Sequence, residues 1–303
     1  ASGISPISIP FIGHLEGDVD ENGNLYRISD LSHALINTIN GGTVNNIILE
    51  DVDVSGSGNV GALCNEATGA TRIYNCGVLS GSVSGSGNVG GLVGRIANNA
   101  RVINCYSFAT VSSEDATSNV AGVVGNNDTS EGTTIATVGT NTMVMNCVFY
   151  GTLSGGAERY PVYGGRKITN ADNLNGYNYY RYENNKNSIT TYNCALAMEE
   201  EFLNRFEFFR YTLNSNRELA AWYAVGDVTK GKGENNVMAK WVLDKSIADY
   251  PILKKQGYYS SVINYDEDAA PETPETQKEL TINISVGSDF PSGAAIKDDK
   301  KSI

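Results

Sequence analysis

Histidine is nearly missing from this sequence: among 303 residues there are two, His14 and His33. The five cysteines, Cys64, Cys76, Cys105, Cys147 and Cys194, form no CxxC pair. That inventory leaves no recognisable zinc site, and no metal or cofactor is expected. Basic residues are also few, 22 against 34 acidic ones, for a net charge of -12. Without a positive footprint, nucleic acid is excluded as a partner, and so is attraction to an anionic membrane. No apolar run reaches the ~18 residues that a membrane span needs. The chain opens on Ala1 without Met and shows no signal peptide, which is the expectation for a mature or trimmed product.

Glycine is abundant at 33 and tyrosine at 17, while charged residues make up 18%. This is the composition of a turn-rich β protein with small polar residues at its corners. The chain is organised around residues 54–94. The eight residues VSGSGNVG at Val54–Gly61 return unchanged at Val83–Gly90, a shift of 29, and a looser copy, SNVAGVVG, begins at Ser118. Such a period signals one supersecondary unit stacked on the next. Each unit carries a β-branched strand, a Gly/Ser turn and a second strand, with the alternation of a half-buried strand. Asn-Cys pairs recur at 75–76, 104–105, 146–147 and 193–194. In a parallel stack such asparagines can pass amide hydrogen bonds from rung to rung, and the cysteines serve as small buried hydrophobes. Inter-rung disulfides are the alternative, with an awkward dihedral.

The pattern NCYSxxxVS followed by NVGGLVG resembles the GLUG motif of bacterial surface proteins. It stands here at Val89-Gly90-Gly91-Leu92-Val93-Gly94, with weaker copies at Val60–Cys64 and Val120–Gly125. The opening FIGHLEGDVDENGNLYRISDL is similar to that family's lead-in. The resemblance covers roughly residues 10–165 and implies a right-handed parallel β-helix, secreted or attached to the cell surface, as is common in gut Bacteroidetes. The motif also occurs in some secreted peptidases, where the repeat is not the catalytic part. It brings no catalytic residue with it.

The expected organisation is therefore mainly β: an N-terminal cap at 1–42, GLUG-type β-helix at 43–194 with a Tyr-rich insertion at 155–192, and a helical capping region with a closing strand at 195–264. An acidic, Pro-rich linker at 265–277 and the start of a further domain or a tail at 278–303 complete it. Within the cap, Asp18, Asp20, Asn22 and Gly23 match the first half of a calcium loop. The twelfth position is Ser29 rather than Glu, so an Asn-Gly turn with solvated acids is the plainer reading. Residues 29–40 have the apolar spacing of a short amphipathic helix or turn. Leu196, Phe202, Leu203, Phe206, Phe209 and Leu213 form a stripe at helical spacing, read as core packed on the flank or the open end of the stack.

No catalytic constellation is marked out, so a non-catalytic adhesion or glycan-binding module is the leading expectation. Its partners would be host or microbial glycans or surface proteins. Tyr177, Tyr179, Tyr180 and Tyr182, in the run GYNYYRYENN, are the candidate ligand-binding residues because a tyrosine face can stack on a sugar. A polysaccharide lyase or glycoside hydrolase is a second reading. Its candidate carboxylates are Asp51, Asp53, Glu114 and Asp115, and its candidate cationic neighbourhood is Arg166-Lys167. A structural spacer is a third.

Overall fold

A computed structural model describes residues 4–128, 142–165, 177–190, 194–216, 239–254 and 283–285. Strands hold 48% and helices 9%, so the protein is mainly β. The strands line up in four parallel sheets that run the length of a β-helix-like stack. Sheet I contains His14–Glu16, Thr43–Asn45, Arg72–Tyr74, Arg101–Ile103 and Met143–Met145. Sheet II runs from Arg27–Ser29 through Ile48–Glu50, Gly77–Val78, Tyr106–Ser107, Val148–Phe149 and Tyr179–Arg181 to Leu196–Met198. Sheet III starts at Val52–Gly61, continues at Gly81–Gly90 and then splits into pairs of shorter strands. Sheet IV holds Ile36–Asn40, Cys64–Thr68, Val93–Ile96 and Val124–Asn127.

The 29-residue repeat sets the register. Gly81–Gly90 pairs residue for residue with Val52–Gly61, so each copy of VSGSGNVG lies on the other. Inward positions are Val54, Val60, Val83, Val89, Val111 and Val120, all buried in one continuous core. Three glycines of this region keep the layers close. A Cβ on Gly91 would collide with the Gly122 carbonyl, and one on Gly122 with the Phe149 ring. One on Gly94 would come within 2.5 Å of the Val60 nitrogen. Side chains there would force the coils apart, which explains the small residues of the GLUG copies.

The corner between sheets I and II is built by asparagine. Asn46, Asn75, Asn104 and Asn146 all have positive φ, between 51° and 60°. This left-handed conformation suits Asn among the non-glycine residues. Their side chains form the expected ladder. Asn75 Nδ2 donates to Asn46 Oδ1 at 3.1 Å, Asn104 Nδ2 to Asn75 Oδ1 at 2.7 Å, and Asn146 Nδ2 to Asn104 Oδ1 at 2.9 Å. One coil on, the register Val148↔Tyr179 puts Tyr177, at φ 57°, where an Asn stood before, and Asn178 where a Cys stood. The Asn193-Cys194 pair thus does not extend the ladder in phase; Asn193 lies outside the described residues. All five cysteines are free and buried.

Several sequence expectations change. Residues 36–40 form a strand, not a helix: Ile36 and Ile39 fill the core while the segment pairs with Cys64–Thr68. The first coil also begins earlier than position 43, because His14–Glu16 and Arg27–Ser29 pair with Thr43–Asn45 and Ile48–Glu50. The Asp18–Asn24 stretch is a hairpin bridged at Val19↔Leu25, in which Asp20 accepts bonds from the Asn22 and Asn24 amides. The helical stripe is short, with an α turn at Glu200–Leu203 and a π-type turn at Phe208–Leu213, and Leu196–Met198 is a strand of sheet II. The tract 265–277 lies outside the described residues; within 278–303 only Asn283–Ser285 is described, antiparallel to His14–Glu16.

The middle strands of sheet II are buried on both faces, while Arg27–Ser29 and Leu196–Met198 at its ends are largely exposed. Leu49, Val78, Phe149 and Tyr180 point into the stack. Ile48, Tyr106, Val148 and Tyr179 point outward into a second core. That core is completed by Leu203, Phe208, Phe209 and Leu213, and by the hairpin Lys240–Val242/Ile252–Lys254 with Trp241 and Tyr250. The aromatic stripe therefore covers the flank of the stack.

Candidate functional site

The seam between sheet II and this flanking segment holds the densest polar chemistry of the described residues. Trp241, fully buried, donates its indole N–H to Asn104 Oδ1 at 2.6 Å. The flank is thereby joined to the asparagine ladder at its middle rung. Asn146 Nδ2 also donates to the Leu213 carbonyl at 3.1 Å, and Tyr150 OH to that of Pro251 at 2.9 Å. Nearby, Arg181 reaches Glu200 Oε2 at 2.7 Å and its guanidinium lies 5.0 Å from the centre of the Tyr250 ring. Tyr250 OH donates to Glu200 Oε1 at 2.7 Å. The Tyr250 hydroxyl and the Arg181 guanidinium hold the Glu200 carboxyl below the usual carboxylate range. Burial raises the Tyr250 phenol well above its ordinary value, and its bond to Glu200 adds to this. The trio fastens the first turn of the flank to sheet II, with the buried Arg181 Nε left without a hydrogen-bond partner. A cavity elsewhere along the seam, between Arg27, Tyr106, Ile252 and Lys254, is lined by none of the trio and admits about one water.

The four candidate tyrosines do not share an exposed face. Tyr180 is in the interior core and Tyr179 in the flank core, its OH accepting from Asn216 Nδ2 at 2.8 Å. Tyr177 sits half-buried at the αL corner, and Tyr182 alone is exposed, at 40%. A sugar-stacking platform needs coplanar free rings, and the alternation of a strand buried on both faces takes Tyr179 and Tyr180 out of reach. The candidate carboxylates are likewise bound up locally. Asp51 accepts from Ser80 and Asp53 from Ser82 of the next coil, at 2.7 and 2.9 Å, while Asp115 caps its own turn through Thr117. Glu114 is exposed on that same loop. Arg166 and Lys167 lie outside the described residues.

Metal chemistry was tested against the donor set. The two histidines are 19 positions apart in sequence, so the HExxH pair of zinc peptidases is absent. His14 Nε2 is engaged by Asn45 Oδ1 at 2.6 Å, and His33 Nδ1 by the Ala34 carbonyl. Among the described residues no three His, Cys, Asp or Glu side chains converge as metal ligands. The donor set of the described residues does not fit a catalytic zinc.

Comparison with known proteins places these features. The model of the GLUG motif matches residues 85–112. Residues 2–80 match the model described as the M26 IgA1-specific metallo-endopeptidase N-terminal region. An immunoglobulin A1 protease of Streptococcus sanguinis is 46% identical over 74 residues, which is 23% of this chain and 4% of that protein. One from Streptococcus pneumoniae is 39% identical over 80 residues, 25% of this chain and 4% of the relative. A solved IgA1 protease structure overlaps 58% of this chain and 12% of its own, at 19% identity and a TM-score of 0.37. This chain thus spans only a small part of the curated relatives it matches. The findings overturn the expectation of a non-catalytic adhesion or glycan-binding module: the relatives are proteases. They are streptococcal, and a Bacteroidetes origin is not shown. The chain contains a GLUG motif within a β-helix-like stack, and its first quarter is similar to the N-terminal region of IgA1-specific metallo-endopeptidases.

Proposed function

We propose that this chain is a region of an extracellular metallo-endopeptidase of the IgA1-protease type, and that its task in proteolysis is to hold and orient the protein substrate. The observation that carries this reading is the match of residues 2–80 to that family's N-terminal region, with 46% identity over 74 residues to a streptococcal enzyme. Those residues form the first coils of the stack, in which the hairpin at 18–25 and the strands of sheets I and II are built on the repeat described above. The finer architecture we propose is a right-handed parallel β-helix. Zinc peptidases cleave by a metal-activated water. The HExxH pair of such enzymes is absent from this sequence, so that chemistry is not routed through its histidines. A rigid stack supplies orientation instead, which lowers the entropic part of the barrier.

The test is a chimera. The matching segment of the Streptococcus sanguinis enzyme is replaced by residues 2–80 of this chain, and IgA1 cleavage is followed by the appearance of fragments. Retention of kcat/KM within about tenfold supports the reading. A folded, zinc-loaded chimera that no longer cleaves IgA1 refutes it. Direct binding of IgA1 to the 303-residue chain by surface plasmon resonance is the companion measurement, and its absence counts against a substrate-holding role.

A further inference from the structure

We infer that the open edge of Val52–Gly61 is a docking site for an extended glycine-serine strand of the V-S-G-S-G-N-V-G type, supplied by another polypeptide segment. The inference does not rest on the protease reading. It follows from the repeat itself. Val54–Gly61 and Val83–Gly90 are identical in sequence and pair in register. Because the two copies share one sequence and stack by translation, the lower face of the first copy presents the same groups as the lower face of the second. The second copy's lower face is seen pairing with a VSGSGNVG strand. The first copy's lower face is therefore shaped for the same partner.

Among the described residues nothing occupies that position. Val52–Gly61 has Gly81–Gly90 as its single strand neighbour. The first coil crosses from Ser29 to Ile36 without contributing a sheet III strand. Among the described residues its backbone hydrogen bond to this edge is that from the Asp53 amide to the Leu31 carbonyl, at 2.8 Å. Alternation aims the amides of Ser55 and Ser57 the same way. Ser55, Gly56, Ser57 and Gly58 are exposed, with no Lys, Pro or bulky side chain to guard them.

Gly56 supplies the sharpest sign. Its counterpart Gly85 must be glycine, since a Cβ there would come within 2.5 Å of the carbonyl oxygen of Gly56 beneath it. At Gly56 a Cβ would meet nothing nearer than Val60 Cγ2 at 3.4 Å. Gly56 has no positive φ either. The protein's own fold does not require glycine there, whereas a strand docked beneath would. Ile9 and Ile12, at 53% and 47% exposure, lie beside the parallel bridges that residues 7 and 11 make below sheet IV, and they leave that end of the stack apolar as well.

The probe is a synthetic peptide with the sequence of residues 82–90, SVSGSGNVG, added to the full 303-residue chain. Amide hydrogen exchange is read residue by residue. Saturating peptide should slow exchange of the Ser55 and Ser57 amides at least tenfold while leaving sheet IV amides unchanged. Gly56→Ala should fold with an unchanged melting temperature and lose that protection. Gly85→Ala, which breaks the stack itself, should melt lower. Three results overturn the inference: no protection at 53–59 in the native chain, protection that survives Gly56→Ala, or Ser55 and Ser57 amides already slow without peptide. The last would show that the edge is covered by the chain itself.

Discussion

Replacing Asn104 by alanine tests the joint between the stack and its flank. Asn104 Oδ1 accepts from the buried Trp241 indole at 2.6 Å and from Asn146 Nδ2 at 2.9 Å, and its Nδ2 donates to Asn75 Oδ1 and to the Ala239 carbonyl. In Asn104→Ala the indole N–H loses that acceptor inside a dry core. Stranding a buried donor costs about 1–3 kcal/mol, and a lost ordinary bond about 1 kcal/mol. Alanine must also adopt the φ of 57° that asparagine tolerates, at a further ~1 kcal/mol. The expected total is about 4 kcal/mol, a large fraction of a domain's stability. Trp241→Phe removes the donor together with its partner's need for it, since Oδ1 still takes Asn146, so it should cost less, about 1.5 kcal/mol. Urea unfolding followed by far-ultraviolet circular dichroism measures both, and the double variant gives the coupling, expected at about 1–2 kcal/mol. A loss below about 1 kcal/mol for Asn104→Ala, or a coupling of zero, would refute the claim that this bond ties flank to stack.

Three further outcomes follow from the same structure. Gly122→Ala should destabilise by about 3 kcal/mol or abolish folding, because the new methyl collides with Phe149 and the Pro161 carbonyl; a melting temperature within 2 °C, on the order of experimental scatter, would contradict the close approach of the coils. Burial pushes the Asp244 carboxyl up, but the Lys254 ammonium and the Ser246 donors outweigh it and leave the group below its ordinary range. A depressed folded value means that the Asp244 contribution is complete above the unfolded carboxylate range and is lost as pH falls through the folded value. The near-ultraviolet signal of Trp241 should therefore weaken below about pH 4, and Asp244→Asn should flatten that part of the titration; an identical titration in the variant would remove Asp244 from the account. Burial also raises the thiols of Cys64, Cys105 and Cys194, the last to about 11. The native chain at pH 8 should resist a thiol-disulfide reagent for hours and titrate five thiols only after unfolding; fast labelling of the native chain would show the ladder to be open.

The repeat was legible because translation along a stack demands it. Val83 must lie on Val54 and Asn104 on Asn75, so identical residues recur at a fixed interval, and strands, corners and the asparagine ladder can be read from spacing. Spacing misled at residues 29–40, where Leu31, Ala34, Leu35 and Ile39 are spaced as on a helix or turn but are buried by an irregular stretch that leads into the strand Ile36–Asn40.

The tyrosines show what spacing cannot give. Tyr179 and Tyr180 read as a surface-binding pair because the run around them is polar. Tyr180 is buried by the interior of the stack, and Tyr179 by partners more than twenty positions later, the Phe208–Leu213 turn and the Trp241 hairpin, which cover the outer face of sheet II. No local pattern records a contact of that range. The open edge at Val52–Gly61 is of the same kind. Sequence determined that two copies of VSGSGNVG stack, because each buries its neighbour's backbone. Only the tertiary structure decided that the first copy has no strand neighbour below among the described residues, because that depends on the path of the preceding coil, which passes from Ser29 to Ile36 without a strand there.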